Sequence, residues 1–477
     1  MKPVGADPDE GIHLIQIWCG DRGESGRCPP SGADAQTQLV PFRFVSGMNC
    51  SVRNYNYWAD ASCQNIENES QLVETRILQY GHYPAPLKNL QSLFMAGSPN
   101  TSTFLARQFS VLIAALCIGI SVLAARRNYL RIWLFLMILA NPFVLSLVAS
   151  VNPSSWTISS AIGAGILIIG LSLDDFRSGS PVVRLILLMP ISLIGLVAAF
   201  SRPEIQTLMK AVVLVSGLGL LVKLVVGMKS QLIRLLLIAL GLALAIIGLD
   251  RQIREWRGYL NFPEVSSSWG GLLLLRDNIF AAPSFALASL LGTPQGGYAT
   301  ALTPSVHFYL LGAIIAMLLL GDRSTSPTFQ QVKSILLALL SFFGAVLLTH
   351  QIVGQPIGSV IQPRYFTPLA VVLVAMVLRS IPLSISRFTA LLVIGVLVFS
   401  AFIYTAHNLM RYVAGVSPTH GTQSAWRFVV LSNSTQLWWQ DIFTLLSPQS
   451  VFLMGWLVFA RLAAVGATLI RNGSSAG

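Results

Sequence analysis

The sequence predicts an all-α polytopic membrane protein. Three observations carry that reading. The chain is 54% hydrophobic and only 10% charged, whereas soluble domains are near 25% charged. Its mean hydropathy is +0.67. Many separate apolar runs approach the roughly 20 residues that a helix needs to cross a bilayer. Together these exclude a soluble globular enzyme, a disordered chain and a disulfide-knotted mini-protein.

Eleven spans are expected, at 104–124, 132–151, 157–173, 184–200, 205–227, 231–249, 303–320, 334–353, 365–379, 388–406 and 450–470. The short run at 365–379 is expected to be tilted or to begin as irregular backbone facing protein. The chain then divides into a polar segment 1–103, a first membrane block 104–249 and a loop 250–302. A second block 303–406, a loop 407–449 and a last helix with its tail, 450–477, complete it. Arg and Trp mixed with apolar runs in 250–302, and Trp426, Trp438 and Trp439 in 407–449, read as interfacial helices.

Charge sets the orientation. Residues 1–103 carry seven basic and ten acidic side chains, and the rest carries 24 and nine. The basic residues fall in alternate short connections: Arg126, Arg127 and Arg131; Arg177 and Arg184; Lys229 and Arg234; Arg323 and Lys333; Arg379 and Arg387. The positive-inside rule puts these in the cytoplasm, with the C-terminus. Residues 1–103 and the loops 250–302 and 407–449 then lie outside, in a plasma membrane. A net charge of +12 therefore reports topology and not nucleic-acid binding. An acidic exterior segment with no apolar run before it implies a further helix upstream, a twelfth span.

Cysteine usage agrees. Cys19, Cys28, Cys50 and Cys63 share the exterior segment and suit one or two disulfides. Cys117 falls in an apolar run and reads as an inert core thiol.

Four polar stretches could carry chemistry. In A-D-P-D-E-G-I-H, Asp9, Glu10 and His13 fall within five residues. They could supply a general base or hold a divalent cation. The same letters also spell a capping box, with Asp7 as cap, Pro8 first in the helix and Glu10 three residues on. In V-N-P-S-S, Asn152 and Ser154 either cap the next helix or line a substrate cavity. In S-R-P-E, Arg202 breaks the charge asymmetry beside Glu204. Its planar fork suits phosphate, a headgroup or its own neighbour Glu204. In Q-P-R-Y-F, Arg364 and Tyr365 enter a span from outside, where Arg meets an anion or snorkels to headgroups.

No acid falls at mid-span, which argues against a cation-coupled transporter, and no Walker A motif is present.

P-D-E-G-I-H at 8–13, V-N-P-S-S at 151–155, S-R-P-E at 201–204, P-Q-G-G-Y at 294–298 and Q-P-R-Y-F at 362–366 come in order. With that order and placement the chain resembles the domain-of-unknown-function 2142 family of multi-pass proteins over roughly residues 1–410. The family's layout is similar to that of GT-C membrane glycosyltransferases. The resemblance implies a polyprenyl-phosphate-linked sugar as donor, a glycan or glycolipid acceptor and a site at the outer leaflet. It implies Asp9 or Glu10 as general base, with Arg202 and Arg364 on the lipid phosphate. His13, Asn152, Glu204 and Tyr365 would line the substrate site. Fold-level likeness leaves a transporter or polymerase component, or a non-catalytic envelope scaffold, as the alternatives.

Overall fold

The computed structural model describes residues 10–20, 27–31, 37–48, 71–75, 85–95, 97–125, 128–171, 193–197, 271–291, 329–353, 357 and 363–380, with residue 395 and a few between 453 and 468. The expected spans 205–227, 231–249 and 303–320, the loop 407–449, nearly all of 388–406, most of 184–200 and about half of 450–470 lie outside these residues. So do Asp9, Arg202 and Glu204.

The polar segment forms α1 (Glu10–Cys19), β1 (Gln38–Pro41), α2 (Phe42–Met48), β2 (Leu72–Thr75) and α3 (Ala85–Ser92). β1 and β2 pair antiparallel, with Gln38 opposite Thr75 and Pro41 opposite Leu72. A Cys19–Cys28 disulfide ties the end of α1 to the chain leading into β1. Of the expected cysteine pairings this is the one among the described residues. Beneath it Leu14, Ile15 and Phe44 pack with Ala106, Val151 and Trp156, so α1 and α2 rest on the helical bundle.

α4 (Pro99–Ala124) begins where Ser98 Oγ accepts from Thr101 N at 3.2 Å and Pro99 fills the first helical position. The helix therefore starts five residues before the expected 104, and the boundary drawn at 103 falls inside it. Its 26 residues rise about 39 Å, enough to cross a ~30 Å hydrocarbon core. Leu112, Leu116 and Leu123 stay exposed along it, as on a helix facing lipid.

The expected single span 132–151 is instead two helices, α5 (Tyr129–Leu139) and α6 (Pro142–Val148). The break has a local cause. Pro142 has no N–H for a continuing ladder. Asn141 serves both sides of the gap: Nδ2 donates to Ile138 O and Oδ1 accepts from Val144 N, each at 3.1 Å.

α7 (Ser154–Gly170) is the central element, with fifteen of its seventeen residues buried. Glycines allow this. A Cβ on Gly165 would come within 2.4 Å of the Phe135 ring, and one on Gly170 within 2.5 Å of Ala125 Cβ. Neighbouring helices thus approach α7 more closely than any side chain would permit.

α8 (Gly271–Leu291), α9 (Phe329–Val353) and α10 (Thr367–Ser380) complete the described bundle. A 3-10 turn at Pro363–Phe366 leads into α10, the irregular entry that the short run suggested. α8 lies in the expected interfacial loop, yet 272–290 is long and apolar enough to cross a membrane. Its Asn278 Oδ1 accepts from Ile357 N at 2.7 Å, and its Ser289 O accepts from Thr367 Oγ1 at 2.6 Å. α8 is therefore fastened along the connection that precedes α10. Among the described residues, α4 and α8 are the two helices that pass this length-and-hydropathy test, and three shorter apolar helices accompany them.

α4, α7 and α10 run parallel. Gly170 meets Ala125 and Gly165 meets Ala375, while Arg379 Nη1 donates to Leu171 O at 3.0 Å and also to Ile168 O. At that same end Asn128 Nδ2 donates to Ile169 O and Arg131 Nη1 to Arg379 O. Basic side chains there sit on helix C-terminal carbonyls, which the helix dipole favours. All three helices point their N-termini to the opposite end, where α1 packs against α4 and the turn before α7.

Candidate functional site

The polar end is organised by Glu10. This residue opens α1 and is fully buried. Its Oε1 accepts from Arg107 Nε at 2.8 Å and its Oε2 from Arg107 Nη2 at 2.5 Å, a bidentate pair. Val151 N approaches the same Oε1 at 3.5 Å. One carboxylate thus joins α1 to α4 and to the turn before α7. Such a fork-to-fork contact holds both groups in a single geometry. Arg107 was not among the residues singled out from sequence. The available signal was an arginine inside the apolar run that begins at Phe104.

The pair bears on two expectations. A divalent cation at Glu10 would meet a guanidinium on the same oxygens, so this carboxylate does not suit a metal, and no step below passes through one. Among the described residues no three His, Cys, Asp or Glu side chains gather as a metal site. A general base also needs an oxygen facing substrate, and both Glu10 oxygens face Arg107. His13 lies one turn further along α1, buried.

The next layer is V-N-P-S-S. Asn152 is buried, and its Oδ1 accepts from Ser154 N at 2.9 Å, while Ser155 N donates to Asn152 O at 2.8 Å. Asn152 therefore caps the entry to α7, as its capping alternative expected. Arg43 and Asn100 add a second buried contact nearby on α4, Nε to Oδ1 at 3.1 Å.

The first turn of α7 is unusual. Ser154 Oγ, Ser155 Oγ, Trp156 Nε1 and Thr157 Oγ1 are all buried, and none has a hydrogen-bond partner. One turn later the ordinary arrangement returns: Ser159 Oγ donates to Ser155 O and Ser160 Oγ to Thr157 O. A buried polar group left unsatisfied costs about 1–3 kcal/mol. Four in succession mark this turn as a place of unmet hydrogen-bonding capacity. Trp156 is fixed edge-on against Phe109 of α4, ring centroids 5.8 Å apart.

Arg364 and Tyr365 lie in the 3-10 turn at the head of α10. Arg364 is 3% exposed; its Nη2 donates to Tyr365 Oη at 3.3 Å and its guanidinium sits 5.1 Å from that ring's centre. Beside them His350 stacks on Phe366, 6.0 Å between centroids, and meets Phe285 edge-on. The structure therefore joins Glu10 to the turn that carries Asn152, buries His13 one helical turn further along α1, and sets Arg364 and Tyr365 at the N-terminal end of α10.

Parallel apolar helices, leucine-lined outer faces and one polar end define a helical membrane protein. The chain belongs to the family described as predicted membrane protein (DUF2142), which matches residues 1–373. No curated protein and no solved structure matches it significantly.

Proposed function

We propose that this protein is a GT-C-like glycosyltransferase of cell-envelope glycan assembly, working at the outer face of the plasma membrane on a polyprenyl-phosphate-linked sugar. The observation that carries the reading is the buried Glu10–Arg107 pair at the polar end. It anchors α1 on α4 and on the turn before α7, and Asp9 is the next residue back along the chain. The Cys19–Cys28 disulfide supports an extracytoplasmic place for this end. Arg131 and Arg379 at the other end suit the cytoplasm.

In this reading Asp9 is the general base and Glu10 its positioning residue. Asp9 takes the proton of an acceptor hydroxyl as that oxygen attacks the anomeric carbon. The bond from that carbon to the phosphate oxygen breaks, and the lipid phosphate leaves with the electron pair, inverting the anomeric centre. Arg364, together with Arg202, stabilises the charge on the departing phosphate.

The test is Asp9→Asn in full-length protein, with envelope glycans and polyprenyl-linked sugars profiled in a deletion strain complemented by it. The expected result is loss of one glycan, accumulation of one lipid-linked sugar and normal membrane insertion. Full complementation by Asp9→Asn removes the catalytic assignment.

A further inference from the structure

α3 and the turn that follows it are held from two sides. Gln91, fully buried, donates from Nε2 to Ser110 Oγ of α4 at 3.4 Å. Phe94 packs on Phe109 of α4, ring centroids 4.7 Å apart. Arg27, next to the disulfide, donates from Nη1 to Met95 O, and Met95 is buried in the core beneath α1. Bonds from Phe94 N to Gln91 O at 3.0 Å and from Met95 N to Ser92 O at 3.1 Å carry the turn past the helix end. Leu90 and Leu93, three residues apart, share the face left over. Leu90 is 40% exposed and Leu93 74%. A segment pinned at Gln91, Phe94 and Met95 does not expose two leucines by fraying.

The contacts with α4 give this tip a depth. Phe109 and Ser110 lie ten and eleven residues beyond Pro99, about 15 Å down the helix axis. The chain climbs back to the start of α4 through Gly97, at φ +86°. The exposed face of α4 changes character at the same level. Before it the exposed side chains are Thr101 and Gln108; after it they are Val111, Leu112, Ala115, Leu116 and Leu123. A ~30 Å hydrocarbon core counted back from Ala124 reaches about residue 105. Pattern and length together put the edge of the hydrocarbon between about residues 105 and 110. The tip of α3 stands at or below that edge.

We infer that the tip of α3 is a lipid-binding surface, with Leu90 and Leu93 inserted among the acyl chains of the leaflet on that side of the membrane. The partner follows from continuity. Ile113, one turn below Phe109, is half-buried, and Leu116 below it is exposed, so the apolar flank of α4 leads up to the tip. The polar segment then enters the bilayer instead of resting above it. Arg107 falls within the same interval, which sets the Glu10–Arg107 pair at the edge between water and hydrocarbon. The inference needs α4 to span a membrane and does not depend on the proposed transferase.

The test is electron paramagnetic resonance on the full chain in nanodiscs of phosphatidylcholine and phosphatidylglycerol. Spin labels are attached one at a time in a Cys50→Ser/Cys63→Ser background, where Cys19 and Cys28 are paired and Cys117 is buried. The sites are Leu90→Cys, Leu93→Cys, Thr101→Cys as the water reference and Leu116→Cys as the lipid reference. Each label meets oxygen, which concentrates in hydrocarbon, and a water-soluble nickel chelate. The labels at 90 and 93 should match that at 116, with an oxygen-to-nickel accessibility ratio several-fold above that at 101. Their depth should be about 5–10 Å below the headgroup boundary. A ratio like that at 101 puts the tip in water and overturns the inference. Protection from both reagents means that protein covers the leucines and overturns it equally. A label at 101 with the ratio found at 116 overturns the position of the edge. Leu90 and Leu93 are exposed, so cysteine at either site removes no core packing.

Discussion

Removing one partner of the Glu10–Arg107 pair tests whether this contact holds the polar end together. Arg107→Met keeps the length and apolar stem of the side chain but leaves the Glu10 carboxylate, fully buried, facing no cation. Breaking a buried pair in this way costs about 3–5 kcal/mol, because the remaining charge is stranded in a low dielectric. That is two to more than three orders of magnitude in the folding equilibrium. Glu10→Gln strands the guanidinium instead, which is 8% exposed and still finds an amide oxygen, so its cost should be smaller. The double variant removes both charges and should recover much of the loss, giving a coupling energy above about 1 kcal/mol. Thermal and denaturant unfolding of the four purified proteins in one detergent closes the cycle. A loss below about 1 kcal/mol for Arg107→Met, or simple additivity in the double variant, would refute the idea that this pair fixes α1 on α4.

Other consequences are local. Asn152→Ala removes the acceptor of Ser154 N and should destabilise the protein by about 1–2 kcal/mol, read in the same melt. Gly165→Ala places a methyl 2.4 Å from Phe135 Cζ; overpacking of this kind should cost about 1–3 kcal/mol, read as a lowered Tm. In a Cys50→Ser/Cys63→Ser background, the denatured protein should take up one maleimide, at Cys117, before reduction and three after it. Buried Cys117 should stay unlabelled until denaturation. Uptake of all three without reduction would remove the Cys19–Cys28 disulfide.

Hydropathy and charge are sums over neighbouring residues, so the sequence by itself determined the membrane class and the approximate course of α4, α7, α9 and α10. It also marked the irregular start of α10 and the buried thiol at Cys117. Asn-Pro and Asn-Pro-Ser-Ser are local signals too, and Asn152 does cap α7. What only the tertiary structure decided are matters of partnership. Four cysteines in one segment permit several pairings, and the tertiary structure joins Cys19 with Cys28 at the end of α1. Glu10 reads equally as cap, base or metal ligand until a guanidinium 97 residues away takes both its oxygens. The unmet hydroxyls of Ser154 and Thr157 have no sequence signal at all. A hydroxyl is unsatisfied only because other helices close around it and exclude water, and no local sequence pattern encodes that closure.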